Sequence, residues 1–312
     1  MKIKRTALLT LVILICVSLC GCDSIFGSND RYYDDQYYDN YYDDPYADNH
    51  YYDNVPQLVC HYIDVGQGDS EFVELPNGES MLIDAGPAES GDTVVNYIQS
   101  LGYDRINYLV ATHPHSDHIG GMKRVVDSFT IDNVYMPKAT ATTSSYQNLL
   151  KSIQSKGMRI TTAKAGTKLL RHSQSDLKAE VLAPNSDSYE ELNDYSVVIK
   201  LTYGKVRLLF MGDATQVSEN EMLKKNKNVS ADIIKVGHHG SSSSSGEQFV
   251  KKVKAQFAIV SVGAGNDYHH PHTKAMNRWK KQGTEVLRTD ECGDIVLSTD
   301  GDEFNIDTAK GG

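Results

Sequence analysis

The chain has 312 residues, of which 40% are apolar, and it carries 31 basic against 41 acidic side chains. Residues 1–53 hold 4 of the basic and 9 of the acidic residues, which leaves 27 against 32 in the remainder. This mildly acidic balance argues against a high-affinity, sequence-independent nucleic-acid binder, because such proteins present a net basic surface to the phosphate backbone.

The first 21 residues have the layout of a bacterial lipoprotein signal peptide. A basic start precedes a 13-residue apolar run from Ala7 to Leu19, which is too short to span a bilayer. The run ends in Leu-Cys-Gly-Cys, which resembles a lipobox. We therefore expect cleavage after Gly21 and lipidation of Cys22, which would anchor the protein on the extracellular face of the bacterial cell membrane. The alternative is an ordinary secretory signal, after which the protein would be secreted.

Residues 22–53 form a low-complexity segment between this signal and a domain at residues 54–312. From Asp30 to Asp53 the sequence has nine tyrosines, eight aspartates and one basic residue, without apolar periodicity. Like charges repel and little apolar surface is available for burial, so we expect a disordered tether. Two interpretations of the tether stay open: a spacer that lifts the domain off the membrane, and a segment that contacts the cell wall.

The domain alternates predicted strands and helices. Strands are predicted at 58–65, 71–75, 80–84, 106–112, 131–136, 167–170, 177–182, 196–201, 206–211, 232–236, 257–262, 285–288 and 294–298. Helices are predicted at 93–101, 122–129, 144–155, 216–225, 247–254 and 273–281. Ser245 and Gln248 have capping-box spacing, and Cys60 and Cys292 can pair in an oxidising compartment. The pattern favours two α/β halves with packed sheets inside and helices outside.

Four potential metal ligands lie within six residues at the end of the strand at 106–112: His113, His115, Asp117 and His118. A loop between a strand and a helix holds such side chains rigidly and leaves them accessible. Neutral imidazoles suit zinc, iron or manganese, and the carboxylate adds a charged ligand. His113 and His115 are two apart in an extended segment and can point to one side. Asp117 and His118 lie past the turn, so the spacing predicts a metal site with more than one ion.

Other strand ends carry ligand-type side chains as well. Asp213 follows one strand, and a carboxylate can bridge two cations because each oxygen serves one ion. A His-His pair at 238–239 follows the next strand, and a His-His-Pro-His sequence at 269–272 follows a third. Asp69 and Asp84 either support metal-bound histidines or stabilise turns. Several strand ends that deliver His or Asp are what a metal site at a sheet edge requires.

The His-x-His-x-Asp-His pattern after a strand resembles the signature of the metallo-β-lactamase fold superfamily. More narrowly, seven blocks resemble, in order, the extracellular hydrolase domain of the ComEC competence proteins: DVGQGDS (64–70), LIDAG (82–86), THPHSDHIGG (112–121), NDYSVVIKLTYG (193–204), MGDA (211–214), KVGHHGS (235–241) and NDYHHPH (266–272). The resemblance implies an α/β fold, a four-layer αββα sandwich with a one- or two-metal site between its sheets. The chain would then be a free-standing, lipid-tethered relative of that domain.

The resemblance also implies roles for individual positions. His113 and His115 would bind one metal, Asp117 and His118 the other. Asp213 would bridge the two ions, and His270 would complete the second site. A separate pair, His238 and His239, would flank the substrate or add a ligand.

One stretch departs from the superfamily pattern. Many two-metal members have a histidine ahead of the strand that leads to the bridging aspartate, whereas this chain has Asn-Asp-Tyr-Ser at 193–196. The first metal would then be completed by water, by Asp69 or by a histidine at 238 or 239. A mononuclear site stays open as an alternative.

We therefore expect a metal-dependent hydrolase in which a hydroxide held between two divalent cations attacks the substrate. Zinc is the favoured metal and manganese the alternative. Asp117, His238 and His239 are the predicted catalytic residues, with the two histidines protonating the leaving oxygen or stabilising the oxyanion. The resemblance implies a phosphodiesterase or nuclease that acts outside the cell, with DNA as a candidate substrate. Alternatives are a choline-phosphate esterase, another ester or lactone hydrolase, and a non-catalytic metal-containing binding module; no protein partner is implied.

Overall fold

The computed structural model describes residues 57–170 and 176–310. The predicted signal peptide, the lipidation site at Cys22 and the tether up to residue 53 lie outside these residues. Within the described part, the strands are β1 Leu58–Tyr62, β2 Glu71–Glu74, β3 Ser80–Ile83, β4 Arg105–Val110, β5 Thr130–Met136, β6 Ile160–Thr162, β7 Leu177–Ala183, β8 Val198–Tyr203, β9 Val206–Phe210, β10 Ile233–Lys235, β11 Phe257–Val260, β12 Glu285–Arg288, β13 Ile295–Thr299 and β14 Phe304–Thr308. The helices are α1 Gly91–Ser100, α2 Ser116–Ile119, α3 Met122–Ser128, α4 Ser144–Ser155, α5 Gln216–Lys224, α6 Glu247–Val253, α7 Thr273–Lys281 and α8 Thr289–Cys292.

These strands form two mixed sheets. The first has the order β14-β13-β1-β2-β3-β4-β5-β6, and the second has the order β12-β11-β10-β9-β8-β7. In the first sheet, β3 to β6 run parallel to one another. In the second, β9 to β12 are parallel. Each parallel block therefore brings several carboxyl ends to one edge of its sheet, which is where ligands bind in parallel sheets.

Three apolar cores define four layers. One core lies between the sheets and contains Tyr108 of β4 and Phe210 of β9. A second joins the first sheet to α1, α3 and α4. A third joins the other sheet to α5, α6 and α7. Strand β9 illustrates the cause: Leu208 and Phe210 face the other sheet, while Leu209 between them faces the helices, because successive side chains point to opposite faces. This arrangement confirms the predicted αββα sandwich.

Some local predictions were wrong. The stretch 167–170 is not a strand, because only Lys168 pairs there, in an isolated bridge to Glu180. Strands β6 and β14 were not predicted; all three residues of β6 are exposed, so no burial pattern marks it. The capping box is also wrong, since Gly246 caps α6 without a side-chain hydrogen bond.

The structure also bears on the cysteines and on membrane segments. Cys60 is buried and Cys292 is half-buried, and both are free thiols, so the two are not joined here. Among the described residues, no helix combines the length and apolar character needed to cross a membrane.

Candidate metal centre

The predicted ligands come from strand ends of both sheets. In the first sheet, Asp84 follows β3 and the loop from His113 follows β4. In the second, Asp213 follows β9, and His239 follows β10. All these strands belong to the parallel blocks, so their carboxyl ends meet at one edge of the sandwich and converge on a common point.

A first group of ligands consists of His113, His115 and Asp213, whose donor atoms lie within 4.8 Å of one another. The Nε2 atom of His113 lies 3.0 Å from Nδ1 of His115 and 3.7 Å from Oδ2 of Asp213. His113 is fully buried. Three donors converge on one point, which suits a single cation.

A second group consists of Asp117, His118, His239 and the same Asp213. Both histidines of this group lie close to the other carboxylate oxygen of Asp213. This Oδ1 atom is 3.2 Å from Nε2 of His118 and 3.4 Å from Nε2 of His239. The Nε2 atom of His239 is also 3.3 Å from Oδ2 of Asp117. Asp213 thus presents one oxygen to each group, which is the geometry of a bridging carboxylate.

The second group leaves buried polar atoms without a hydrogen-bond partner in the described part of the chain. They are Nε2 of His118, Nε2 of His239 and Oδ1 of Asp213. An unpaired buried polar atom is costly, and a divalent cation between these three atoms would satisfy all of them. The donor set, imidazoles with carboxylates, fits zinc, manganese or iron.

Electrostatics support the same interpretation. Burial alone would raise the pKa of Asp213, but His239 and His118 outweigh it and hold this pKa well below its usual range. Burial would lower the pKa of His239, but Asp213 and Asp69 raise it to about 10. In the absence of metal, protons on His118 and His239 therefore carry the positive charge that the carboxylates require; the pKa of His118 is likewise raised, by Asp213 and Asp69 against burial.

Each imidazole of the second group is oriented by a partner on its other nitrogen. Nδ1 of His118 lies 2.7 Å from Oδ2 of Asp84. Nδ1 of His239 donates to the carbonyl of Ser261 at 2.9 Å and lies 3.2 Å from Oδ1 of Asp69. Such outer partners fix the tautomer and direction of a metal-binding histidine. Of the two roles that the sequence left open for Asp69 and Asp84, these contacts favour support of the histidines.

Ser196 ends the stretch 193–196, which lacks the histidine that the superfamily pattern led us to look for. Its hydroxyl oxygen lies 3.4 Å from Nδ1 of His113 and accepts a hydrogen bond from the backbone N–H of Asp213 at 3.0 Å. Ser196 thus contacts the backs of two ligands. It does not belong to the first group, which keeps three protein donors.

Sequence reasoning missed Lys235 as part of the site. Its ammonium is fully buried and contacts Oδ2 of Asp69 at 2.5 Å. Asp69 in turn contacts His239, so the lysine holds the negatively charged Asp69 next to this candidate metal ligand. Glu71 lies in the same buried cluster, and burial together with Asp69 raises its pKa well above the ordinary value. In the sequence, Lys235 belongs to an apolar strand and has no charged neighbour that would indicate a role. Its partner Asp69 lies 166 residues away in the chain, and the contact is visible only in the structure.

The predicted residues thus separate into two sets. His113, His115, Asp117, His118 and Asp213 lie in the two groups, whereas His270 does not, and His239 is the second histidine of the second group. The ring of His270 lies 6.2 Å from that of His239, at the wall of a cleft. The assignment of metal ligands stays a prediction, with His239 now the better-placed residue.

A cleft of about 250 Å³ opens onto both groups. It is lined by polar and ring side chains: Gln67, His115, Ser116, Asp117, Thr143, Asn193, Asp213, His238, His239, Tyr268 and His270. The side chain of His238 is 25% exposed, and its Nε2 lies 3.8 Å from Oδ2 of Asp213. Burial lowers the pKa of His238, so this imidazole is neutral near pH 7.

The five-serine stretch at residues 241–245, beside the cleft, is anchored by contacts to two helices. Glu219 of α5 accepts hydrogen bonds from the backbone N–H groups of Ser245 and Gly246, at 2.5 and 2.8 Å. Arg278 of α7 donates to the carbonyls of residues 244 and 245. This anchoring holds the preceding His238-His239 pair, whose backbone is left-handed at φ values of 51° and 49°. Such a backbone persists only where its surroundings fix it.

Glu219 gives this anchor a pH dependence. Burial raises its pKa to about 7 from an ordinary 4.5, although the two N–H groups and Arg278 oppose the shift. Because the folded state holds the proton more tightly, the stabilisation from this group is complete below pH 4.5 and is lost as the pH rises to 7.

Replacing Glu219 by Gln should remove this pH dependence of the free energy of unfolding. Relative to wild type, the variant should gain on the order of 3 kcal/mol in free energy of unfolding between pH 4.5 and pH 7.

Urea unfolding of the metal-free protein at several pH values measures this difference. Glu247→Gln is the matched control, since that glutamate begins the next helix with 67% of its side chain exposed. Parallel curves for wild type and Glu219→Gln would contradict the prediction.

Comparisons with known proteins agree with this geometry. Residues 63–145 match the family model of the Metallo-beta-lactamase superfamily. Over 250 residues, the chain is 31% identical to ComE operon protein 3 of Bacillus subtilis, covering 75% of this chain and 32% of that protein. It is 27% identical to Recombination protein 2 of Haemophilus influenzae, covering 80% of this chain and 30% of that protein. The chain thus spans about a third of the length of these relatives.

Among solved structures, CmlA, a diiron β-hydroxylase from Streptomyces venezuelae, aligns with a TM-score of 0.50. The alignment covers 78% of this chain and 54% of that chain at 16% identity. At this identity the likeness concerns the fold alone.

Proposed function

We propose that this chain, which contains a metallo-β-lactamase domain similar to those of competence proteins, is a hydrolase that uses two divalent metal ions to cleave phosphodiester bonds outside the cell. The observation that carries the proposal is the shared Asp213, which belongs to both ligand groups and faces His113 with one oxygen and His118 and His239 with the other. Zinc is the favoured metal, and manganese is the alternative.

Bound ions would supply Lewis-acid charge and lower the pKa of water to about 7, which provides a nucleophile at neutral pH. The residues of the chain contribute position and charge. Asp84, Asp69 and the Ser261 carbonyl orient the imidazoles, so the ligand set needs little rearrangement. His238 faces the open side of the cleft as a neutral imidazole, so near pH 7 it serves as a hydrogen-bond donor to developing charge on the substrate oxygen, not as a proton donor.

The preference for a phosphodiester rests on charge and on the resemblance to the ComEC domain. Two adjacent cations match an anionic phosphoryl group whose oxygens can contact both. We extend the proposal to location: residues 1–22 support a lipid anchor at Cys22 and a protein held on the extracellular face of the membrane. DNA is the candidate natural substrate.

Metal-dependent turnover of model substrates tests this function. Full-length protein loaded with zinc or manganese should hydrolyse bis-p-nitrophenyl phosphate and cleave DNA, and chelation should abolish both activities, because the bound ions would supply both the nucleophile and the Lewis-acid charge. Metal-free protein is the control. Hydrolysis of a carboxyl ester or lactone without phosphodiester cleavage would contradict the proposal in favour of a different ester hydrolase. Bound metal without turnover on any substrate would favour a binding module.

A further inference from the structure

Tyr268 is an exposed aromatic residue at the metal cleft that the proposed function has not used. It is 63% exposed, more than any other large apolar side chain in the described part of the chain. It lines the same cleft as Asp117, Asp213 and His239, where it is the one Phe, Tyr or Trp side chain of the lining. Aromatic side chains with one polar end are common at binding surfaces and in pocket linings, and the position of this ring at the cleft makes its free face available to a ligand.

The ring of Tyr268 is already stacked on one face. It lies parallel to the imidazole of His270, with ring centroids 5.6 Å apart and an interplanar angle of 20°. The imidazole of His270 lies in turn 6.2 Å from that of His239. Two ring-to-ring steps therefore connect the second metal group to an exposed aromatic ring.

The backbone around Tyr268 is held in place. The side-chain amide of Asn266 donates to the carbonyls of Gly263 and His270, at 2.9 and 2.7 Å. Its oxygen accepts from the backbone N–H of His270 at 3.0 Å. These bonds close the turn that carries Tyr268, so the ring is presented without the entropy cost of ordering a free loop.

We propose that Tyr268 determines specificity by stacking on an unpaired nucleobase adjacent to the scissile phosphodiester. The proposal rests on the proposed phosphodiesterase function and defines its substrate as a single-stranded polynucleotide or nucleotide ester. A nucleobase can stack on the free face of the Tyr268 ring, whose other face is stacked on His270, because every nucleobase has a flat π-face. In a duplex those faces are covered by neighbouring bases, so recognition of this kind selects single strands. A quaternary ammonium group is the less favoured occupant, because its recognition uses a cage of several aromatic rings and this cleft has one.

Nucleoside and abasic substrates with the same leaving group test the proposal. Hydrolysis by the full-length, metal-loaded protein is measured on the 3′ and 5′ p-nitrophenyl phosphodiesters of deoxyadenosine and on the corresponding deoxyribose esters without the base. Replacing Tyr268 by Ala should lower the ratio of kcat/KM for the nucleoside ester over the abasic ester by about tenfold, because the base loses its stacking partner. Tyr268→Phe should keep the wild-type ratio, since it keeps the ring. Val217→Ala, at a 52% exposed apolar side chain that does not line the cleft, is the matched surface control.

A spectroscopic measurement follows the stack without turnover. A single-stranded oligonucleotide containing 2-aminopurine is added to the metal-free protein, which should not hydrolyse it, with and without Tyr268→Ala. Quenching that depends on Tyr268 is expected. An unchanged ester ratio in Tyr268→Ala would overturn the inference, as would a tenfold loss confined to p-nitrophenylphosphorylcholine. If the wild type hydrolyses none of these phosphodiesters, the proposed function itself fails and the inference fails with it.

Discussion

Replacing Asp213 by Asn should lower phosphodiester hydrolysis by about a thousandfold or more, since loss of several kcal/mol of metal-derived transition-state stabilisation costs a factor of ten per ~1.4 kcal/mol. Asn keeps the shape of the side chain but removes the charge that both ligand groups share. The same change should reduce the affinity for both ions at once, because Oδ2 faces one group and Oδ1 the other.

The measurement combines steady-state kinetics on bis-p-nitrophenyl phosphate with metal content by plasma mass spectrometry. Asp302→Asn serves as the matched control, because that carboxylate is 64% exposed and pairs with an exposed lysine. Thermal unfolding of the metal-free proteins shows whether the variant remains folded. Near-normal turnover with two bound ions in a folded Asp213→Asn variant would exclude a bridging role.

Replacing His239 by Ala should leave a protein that binds about one metal ion per chain and has lost most of its turnover, because the second group would keep a single imidazole and would share one of its two carboxylates with the first group. Replacing His270 by Ala should leave metal content near two ions, since His270 lies outside both groups. The two variants thus separate the ligand position implied by the resemblance from the one favoured by geometry.

Metal titration of both purified variants, followed by equilibrium dialysis, decides between them. His239→Gln provides a second version with a polar side chain of similar length, in case the cavity left by Ala destabilises the site. The opposite pattern, with His270→Ala losing an ion and His239→Ala retaining both, would restore the assignment made from the sequence.

Local sequence sufficed for much of the site. The candidate ligands from His113 to His118 lie within six residues of the chain, and each other candidate follows an apolar strand, so strand ends could be identified without knowing how the sheets pack. The parallel blocks then bring those ends together at one edge. The αββα architecture could also be predicted, from the alternation of strands and helices together with the family resemblance.

The choice between His239 and His270 could not be made from the sequence. It depends on left-handed backbone at His238 and His239, which directs the buried side chain of His239 to Asp117 and Asp213 and leaves that of His238 at the cleft. A serine-rich stretch reads as a free loop. The stretch is ordered in the structure because the carboxylate of Glu219 accepts a hydrogen bond from the backbone N–H of Ser245, which lies 26 residues later in the chain.

The buried ion pair at the site could not be predicted from the sequence either. Lys235 and Asp69 are 166 residues apart, and their ion pair exists only because β10 and the loop after β1 meet behind His239. Such a pair is expensive to bury unless each partner is satisfied. Its presence behind a ligand is therefore a tertiary feature that no local pattern encodes.

The most direct test of the central claim is a titration of metal-free, full-length protein with zinc or manganese, in which bis-p-nitrophenyl phosphate hydrolysis is recorded at each metal equivalent. The two ligand groups that share Asp213 predict turnover that rises until about two ions per chain are bound and then stays constant. Full activity at one equivalent would contradict the dinuclear centre. Absence of turnover at every metal loading would contradict the assignment of this cleft as a phosphodiesterase site.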